Sequence, residues 1–251
     1  MDNALRGQLE DITNESFTIK VLDEQGCTSE VRKLQTVTND YILKTCYKPK
    51  YRHWLKTEAE VLKKKKHLPI PRYFGFFEEE NSSHLLMSFE EGVTLRQAIQ
   101  MAESLEEEKQ LIKSFGVFLC QFHEDHIDNA SNHKWLDGQL IKAAHYLANE
   151  EADGSEELLR RLNENKPAAV RQTLIHGDCT TDNVLVREGE VYLFIDVAGT
   201  TMGDPRYDEA LAIGRFKTNR DYLEAFYEGY TRNRMTEEEY RYFDEGLYEF
   251  F

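Results

Sequence analysis

The chain has 251 residues, a formal charge of −15, and 40% hydrophobic and 31% charged residues, a length that holds one large domain or two lobes with a sizeable core. So acidic a balance argues against nucleic acid or an anionic membrane as partner, since both reward basic surface, and it is compatible with a cationic small molecule. No apolar run approaches the ~18 residues of a membrane span, the N-terminus has no signal-peptide core, and Cys27, Cys46, Cys120 and Cys179 lack C-x-x-C spacing, so the expectation is a soluble cytoplasmic protein without zinc site or disulfide framework.

Over residues 1–90 short strand-like runs alternate with turns, and over residues 91–251 the periodicity is helical apart from one hairpin. That shift predicts an α+β chain: a small N-terminal antiparallel-sheet lobe and a larger, mainly helical C-terminal lobe. Residues 17–22 and 30–34 read as strands. The DEQGCTS between them supplies Gly26 with the small polar Thr28 and Ser29, which suits a loop whose N–H groups approach a phosphate and equally suits a plain hairpin turn. Residues 41–44, YILK, place Ile42 and Lys44 on one strand face and Tyr41 and Leu43 on the other. A helix follows over residues 52–66, with Trp54, Val61 and Leu62 on its buried stripe; Glu58 lies on that stripe and Glu60 points off it. Pro69 and Pro71 break the helix, and SSHLLMSFEEG reads as a strand running into a hinge at Glu90, Glu91 and Gly92.

Beyond the hinge, Thr94 suits the cap of a short helix, and Ser104 with Glu107 makes a capping box for a longer one with Leu111, Phe115, Phe118, Leu119 and Phe122 in its core stripe. Asp137 is placed to cap a helix bearing Leu140, Ile141, Ala144 and Leu147, and Ser155 another. His123, His126, His133 and His145 lack the spacing of a metal site and read as structural or surface residues. Asp204 and Asp208 read as caps or braces for the next helix and the loop before it. An amphipathic helix over Leu223, Phe226, Tyr227 and Tyr230 is then followed by a last helix, capped by Thr236 and Glu239, that ends the chain at Phe251.

The chemistry concentrates in residues 174–210. Asp178 stands five residues ahead of Asn183 in HGDCTTDN, and Asp196 closes the apolar run of residues 191–195. Residues 184–186 and 191–195 flank REGE, a β-hairpin with a glycine in its turn. If Val186 pairs with Val191, Asn183 lies opposite Phe194, and Asp196 follows two residues further on that face. This is a phosphoryl-transfer layout: one carboxylate, Asp178, to orient an attacking hydroxyl, and two oxygen ligands, Asn183 and Asp196, for the magnesium that neutralises the phosphates. Taken alone, a His-Gly-Asp triplet is usually a turn and an aspartate after a strand usually a cap; it is their conjunction that carries the reading.

HGDxxxxN followed by IDxxxxxxGDPxxDxA resembles the aminoglycoside phosphotransferase and choline kinase family, with a protein-kinase-like fold, and the likeness extends more weakly from about Gly26 to the C-terminus. The resemblance implies ATP, or GTP, and Mg2+ as cofactors. It implies Lys44 on the phosphates with Glu58 as its partner, Ser29 or Thr28 in the loop over the phosphates, Ile42 against the base, and backbone contacts to the base at Ser88 and Glu90. It places the acceptor in the helical lobe facing Asp178, where the C-terminus, through Glu249 and the Phe251 carboxylate and with Asp244 and Glu245 one turn earlier, would receive ammonium groups. The expected acceptor is an aminoglycoside-type antibiotic, which would make the protein a resistance enzyme. Choline, homoserine or a macrolide, and a silent nucleotide-binding scaffold, stay open. A protein kinase is disfavoured, because Gly203-Asp204-Pro205 follows Asp196 too closely for an activation segment.

Overall fold

The computed structural model describes residues 3–22, 25–126 and 134–251, so His133 and residues 23–24 of the glycine loop lie outside the described residues. It forms two compact units, Met1–Glu91 with Leu193–Ala198, and Gly92–Tyr192 with Gly199–Phe251.

The first unit contains α1 (Asn3–Thr13), β1 (Thr18–Val21), β2 (Glu30–Gln35), β3 (Asp40–Cys46), α2 (Pro49–Lys64), β4 (Tyr73–Glu78) and β5 (Ser83–Ser88). Its sheet runs β1-β2-β3-β5-β4, antiparallel throughout. Helix α1 is a correction, because the sequence reading saw only strands and turns in this lobe. Leu5, Leu9 and Thr13 recur every four residues and are buried, and the two leucines pack with Phe17, Leu34, Tyr41, Leu43 and Leu86. Tyr41 and Leu43 of β3 thereby enter the core under α1, which leaves Ile42 and Lys44 on the opposite sheet face. Helix α2 starts at Pro49 and buries Leu55, Glu58, Ala59 and Leu62. Trp54 and Val61, expected on that stripe, are only half-buried, because the face is centred one residue further along.

The second unit contains β6 (Val93–Thr94), α3 (Leu95–Met101), α4 (Leu105–Asp125), α5 (Trp135–Ala148), α6 (Glu156–Glu164), β7 (Thr173–Ile175), β8 (Val184–Arg187), the start of β9 (Glu190–Phe194), β10 (Thr201–Gly203), α7 (Pro205–Ile213), α8 (Arg220–Gly229), α9 (Glu237–Phe243) and a final 3-10 turn at Leu247–Phe250. Strand β8 lies between β6 and β9, and β7 pairs with β10. Helices α4 and α8 meet at a pair of glycines: a Cβ on Gly116 would stand 2.2 Å from the Phe226 carbonyl oxygen, and one on Gly229 2.2 Å from that of Lys113.

Thr94 and Thr236 each form the full reciprocal cap, while Ser104 accepts the Glu107 N–H but Glu107 reaches back to the Glu103 N–H instead. Asp137 does not cap α5. It lies in the first turn and pairs with Lys166 at 2.6 Å, and the helix buries Leu140 and Ala143 while Ile141 and Ala144 face outward. The last helix stops at Phe243, because Gly246 sits so close to the chain, 2.5 Å from its would-be Cβ to the Tyr242 carbonyl oxygen, that the tail turns there and restarts as the 3-10 turn.

Helix α7 buries Glu209 completely. Its Oε1 accepts the Tyr227 phenol and the Met235 N–H, both at 2.8 Å, and its Oε2 has no partner. Burial pushes this carboxyl up to about 7 from an ordinary 4.5. The fold therefore favours the protonated acid: its contribution is complete below pH 4.5 and is lost as pH rises through about 7, roughly 3 kcal/mol in all. We expect Glu209→Gln to flatten the pH dependence of the urea midpoint between pH 5 and 8, and matching slopes in variant and wild type would contradict this.

Candidate active site

In the first unit, Lys44 projects from the face of β3 opposite α1 and is buried. Its Nζ donates to Glu58 Oε1 at 2.7 Å and to Asp196 Oδ1. Burial alone would lower the ammonium pKa, but Asp196 and then Glu58 outweigh it and hold it above its ordinary value. The Glu58 carboxyl is pushed upward by the same burial, with Asp196 adding to it and Lys44 opposing. Glu60 is exposed and pairs with Lys64 along the helix. Asp196 lies two residues beyond the end of β9 in a left-handed conformation, φ 58°, so it does not continue the strand face as the sequence reading had it. Its side chain is 46% exposed.

Ile42 is half-buried opposite Met87 of β5. Ser29 is half-buried at the foot of β2, in a loop closed by the Gln25 amide, which donates to the Leu22 and Val31 carbonyls at 2.8 and 2.9 Å and accepts the Val31 N–H at 2.8 Å. At Ser88 the expected backbone contact narrows to the carbonyl. The Ser88 N–H is committed to the Arg72 carbonyl at 2.9 Å, and its hydroxyl accepts the Arg72 N–H and donates to the Glu90 carboxylate. The Phe89 N–H is likewise spent on the Asp40 carbonyl, so the backbone donor left at this strand end is that of Glu90.

In the second unit, β7 delivers His176, Gly177 and Asp178. Gly177 has φ 83°, and a Cβ there would stand 2.5 Å from the Gly199 carbonyl oxygen, so the middle of the motif admits only glycine. The fully buried Asp208 of α7 braces the turn: Oδ2 accepts the His176 N–H at 2.6 Å and Oδ1 the Gly177 N–H at 2.8 Å. His123 of α4, also fully buried, stands with Nε2 3.2 Å from Asp208 Oδ2 and Nδ1 3.0 Å from the Tyr230 hydroxyl. Asp204 caps α7 and chelates Arg206. From the end of the loop, Asn183 Nδ2 donates to Asp178 Oδ2 at 2.7 Å and to the Asp178 carbonyl at 2.8 Å. Asn183 then enters β8, and the Glu188-Gly189 turn, with φ 54° and 81°, is the two-residue type that matches strand twist and joins β8 to β9.

The sequence reading missed Tyr248, whose phenol donates to Asp178 Oδ1 at 2.9 Å. Nothing local marks it, since the two residues are 70 apart in the chain. Its neighbours, singled out instead, lie differently: Glu249 is exposed, and Phe251 is half-buried with its ring edge-on to Tyr146 at 5.7 Å. Of the acids expected to join them, Asp244 accepts the Tyr240 phenol at 2.5 Å and Glu245 pairs with Lys217 at 2.9 Å.

The profile of the phosphotransferase enzyme family matches residues 21–243, most of the chain, and the chain belongs to that family. The chain is 26% identical over 177 residues to an aminoglycoside 3'-phosphotransferase of Enterococcus faecalis, a match covering 64% of this chain and 66% of that protein. It therefore spans about two thirds of the length of this curated relative. In structure it resembles an aminoglycoside 3'-phosphotransferase of type VIII, with a TM-score of 0.80 and 22% identity over 99% of this chain and 97% of that one. It also resembles spectinomycin phosphotransferase, solved with ADP and spectinomycin, with a TM-score of 0.62 and 15% identity over 97% and 83%. The fold is thus the α+β, kinase-like one that the motifs implied.

Proposed function

We propose that this protein is an ATP-dependent small-molecule kinase that transfers the γ-phosphoryl group to a hydroxyl of an aminoglycoside-type acceptor. The observation that carries the reading is the Asp178 carboxylate. One of its oxygens is clasped by Asn183 at 2.7 Å, and the other already receives a hydroxyl at 2.9 Å, at the head of a loop fixed by Asp208. A base held this way can orient an attacking hydroxyl and take its proton as the phosphorus–oxygen bond forms. Lys44, kept charged by its two carboxylates, is suited to the nucleotide phosphates. Ser29, Ile42, the Ser88 carbonyl and the Glu90 backbone N–H are assigned to nucleotide binding on the same reading, with the Ser88 hydroxyl bracing the Glu90 carboxylate.

Each of the two residues assigned to magnesium has an oxygen to offer within its own unit. The Asn183 amide nitrogen is spent on Asp178, which leaves its Oδ1 as the ligand atom, and the half-exposed Asp196 offers its carboxylate. Among the described residues there is no cluster of three or more His, Cys, Asp or Glu of the kind a transition-metal site uses. A hard cation held by few protein oxygens and the substrate phosphates is the type that needs none. When bound, it would neutralise phosphate charge.

An aminoglycoside acceptor is supported by the relative's name and by the charge of −15. No described helix is long and apolar enough to cross a membrane, which is compatible with a cytoplasmic enzyme protecting its host from an antibiotic. Glu249 and Phe251 stay our candidates for contacts to the acceptor. The test is acceptor-dependent ADP formation from magnesium-ATP with aminoglycosides, macrolides, choline and homoserine in parallel. Turnover with an aminoglycoside is the expected outcome, and turnover confined to choline or homoserine refutes the acceptor assignment.

A further inference from the structure

We propose that Tyr248 is the residue by which this chain discriminates an acceptor hydroxyl from water: its phenol occupies the acceptor's seat on Asp178 until an acceptor displaces it. The inference rests on Asp178 being the general base, as read above.

The phenol is held in place by its surroundings. Leu247 and Phe250, on either side of it in the 3-10 turn, are fully buried. Gly154 makes room for the Phe250 ring, where a Cβ would stand 2.4 Å from it, and donates its N–H to the Glu249 carbonyl at 3.0 Å. The Tyr248 ring lies edge-on to Tyr207 at 6.4 Å. So anchored, it meets Asp178 on Oδ1, while Asn183 clasps Oδ2.

A general base accepts a hydroxyl at hydrogen-bond distance, and the phenol is a hydroxyl at that distance. Its oxygen is tethered to a ring anchored in the turn, so it fills the seat as a fixed donor to the carboxylate. Water in that seat would be deprotonated by Asp178 and would attack the γ-phosphorus, giving ADP and inorganic phosphate with no acceptor modified. An acceptor held by further contacts can outbid the phenol's single hydrogen bond, whereas water offers only the same bond.

Acceptor-free ADP release from magnesium-ATP tests this on the full chain. Tyr248→Phe keeps the ring and removes the hydroxyl, and we expect its release rate to rise about tenfold, the scale of one charge-assisted hydrogen bond. The rise should vanish in Tyr248→Phe/Asp178→Asn. An unchanged or lower rate in Tyr248→Phe overturns the inference and leaves the kinase reading standing; if that variant unfolds below the assay temperature, Tyr248→Leu decides on the same criterion. A rise that persists in the double variant overturns the reading of Asp178 as base, and the inference with it. A merely structural tyrosine would lower turnover on removal, not raise it.

Discussion

Asp178→Asn is expected to lower kcat for phosphoryl transfer by on the order of 100-fold or more while leaving nucleotide affinity within about twofold. The asparagine keeps the volume of the side chain, so the loop between β7 and β8 should hold its shape. What changes is the acid–base chemistry. The amide has no basicity to take the acceptor proton, and one of its two terminal atoms becomes a donor, facing either Asn183 Nδ2, itself a donor, or the Tyr248 hydroxyl, which must then turn to accept. On the reading proposed above, nucleotide affinity draws on Lys44 and its carboxylate partners rather than on the Asp178 carboxylate. Steady-state ADP formation gives kcat, and calorimetry with a non-hydrolysable ATP analogue gives the affinity. Turnover close to wild type would remove Asp178 from the role of base; a matching collapse of affinity would make it a nucleotide ligand instead.

The residues legible in the sequence were those whose position follows from a local period. Glu58 could be chosen over Glu60 because a helix repeats every 3.6 residues, and the choice survives the error of one residue in the centre of the buried stripe. The Asp178–Asn183 spacing could be read because a five-residue loop returns one side chain onto the other, here at 2.7 Å. Three features were not legible. Helix α1 carries Asp, Glu and Arg among its two leucines, and what makes it a helix is the sheet core it covers, not its own composition. The left-handed backbone of Asp196 leaves no mark at a residue that is not glycine. Tyr248 reaches Asp178 only because the chain turns at Gly246; a helix continued through that point, as the capping pattern invited, would carry the tail elsewhere.

The largest effect on stability is expected at Asp208. Its carboxylate is fully buried and serves three donors: the N–H groups of His176 and Gly177 and the ring nitrogen Nε2 of His123. A carboxylate can only accept, so the His123 hydrogen must sit on Nε2, and the Tyr230 hydroxyl can then donate to Nδ1, which links α4, α7 and the Asp178 loop through one side chain. Asp208→Ala strands all three donors away from water. At ~1 to 3 kcal/mol for each buried group left unpaired, partly relieved by relaxation or an entering water, the cost should be about 3 to 5 kcal/mol, a large part of the stability of a domain this size. Asp208→Asn fills the same space but turns an amide N–H toward one of the two backbone N–H groups, so we expect it to recover less than half of the loss. Because the N–H groups released are those of the two residues preceding Asp178, kcat should fall even at temperatures where Asp208→Asn is fully folded, with KM for ATP little changed. Urea unfolding gives the stability, read from the midpoint at constant slope. An Asp208→Ala variant within about 1 kcal/mol of wild type would mean that the loop is held by the Gly177–Gly199 approach and the Asn183 clasp alone, and that the buried aspartate is dispensable to both fold and site.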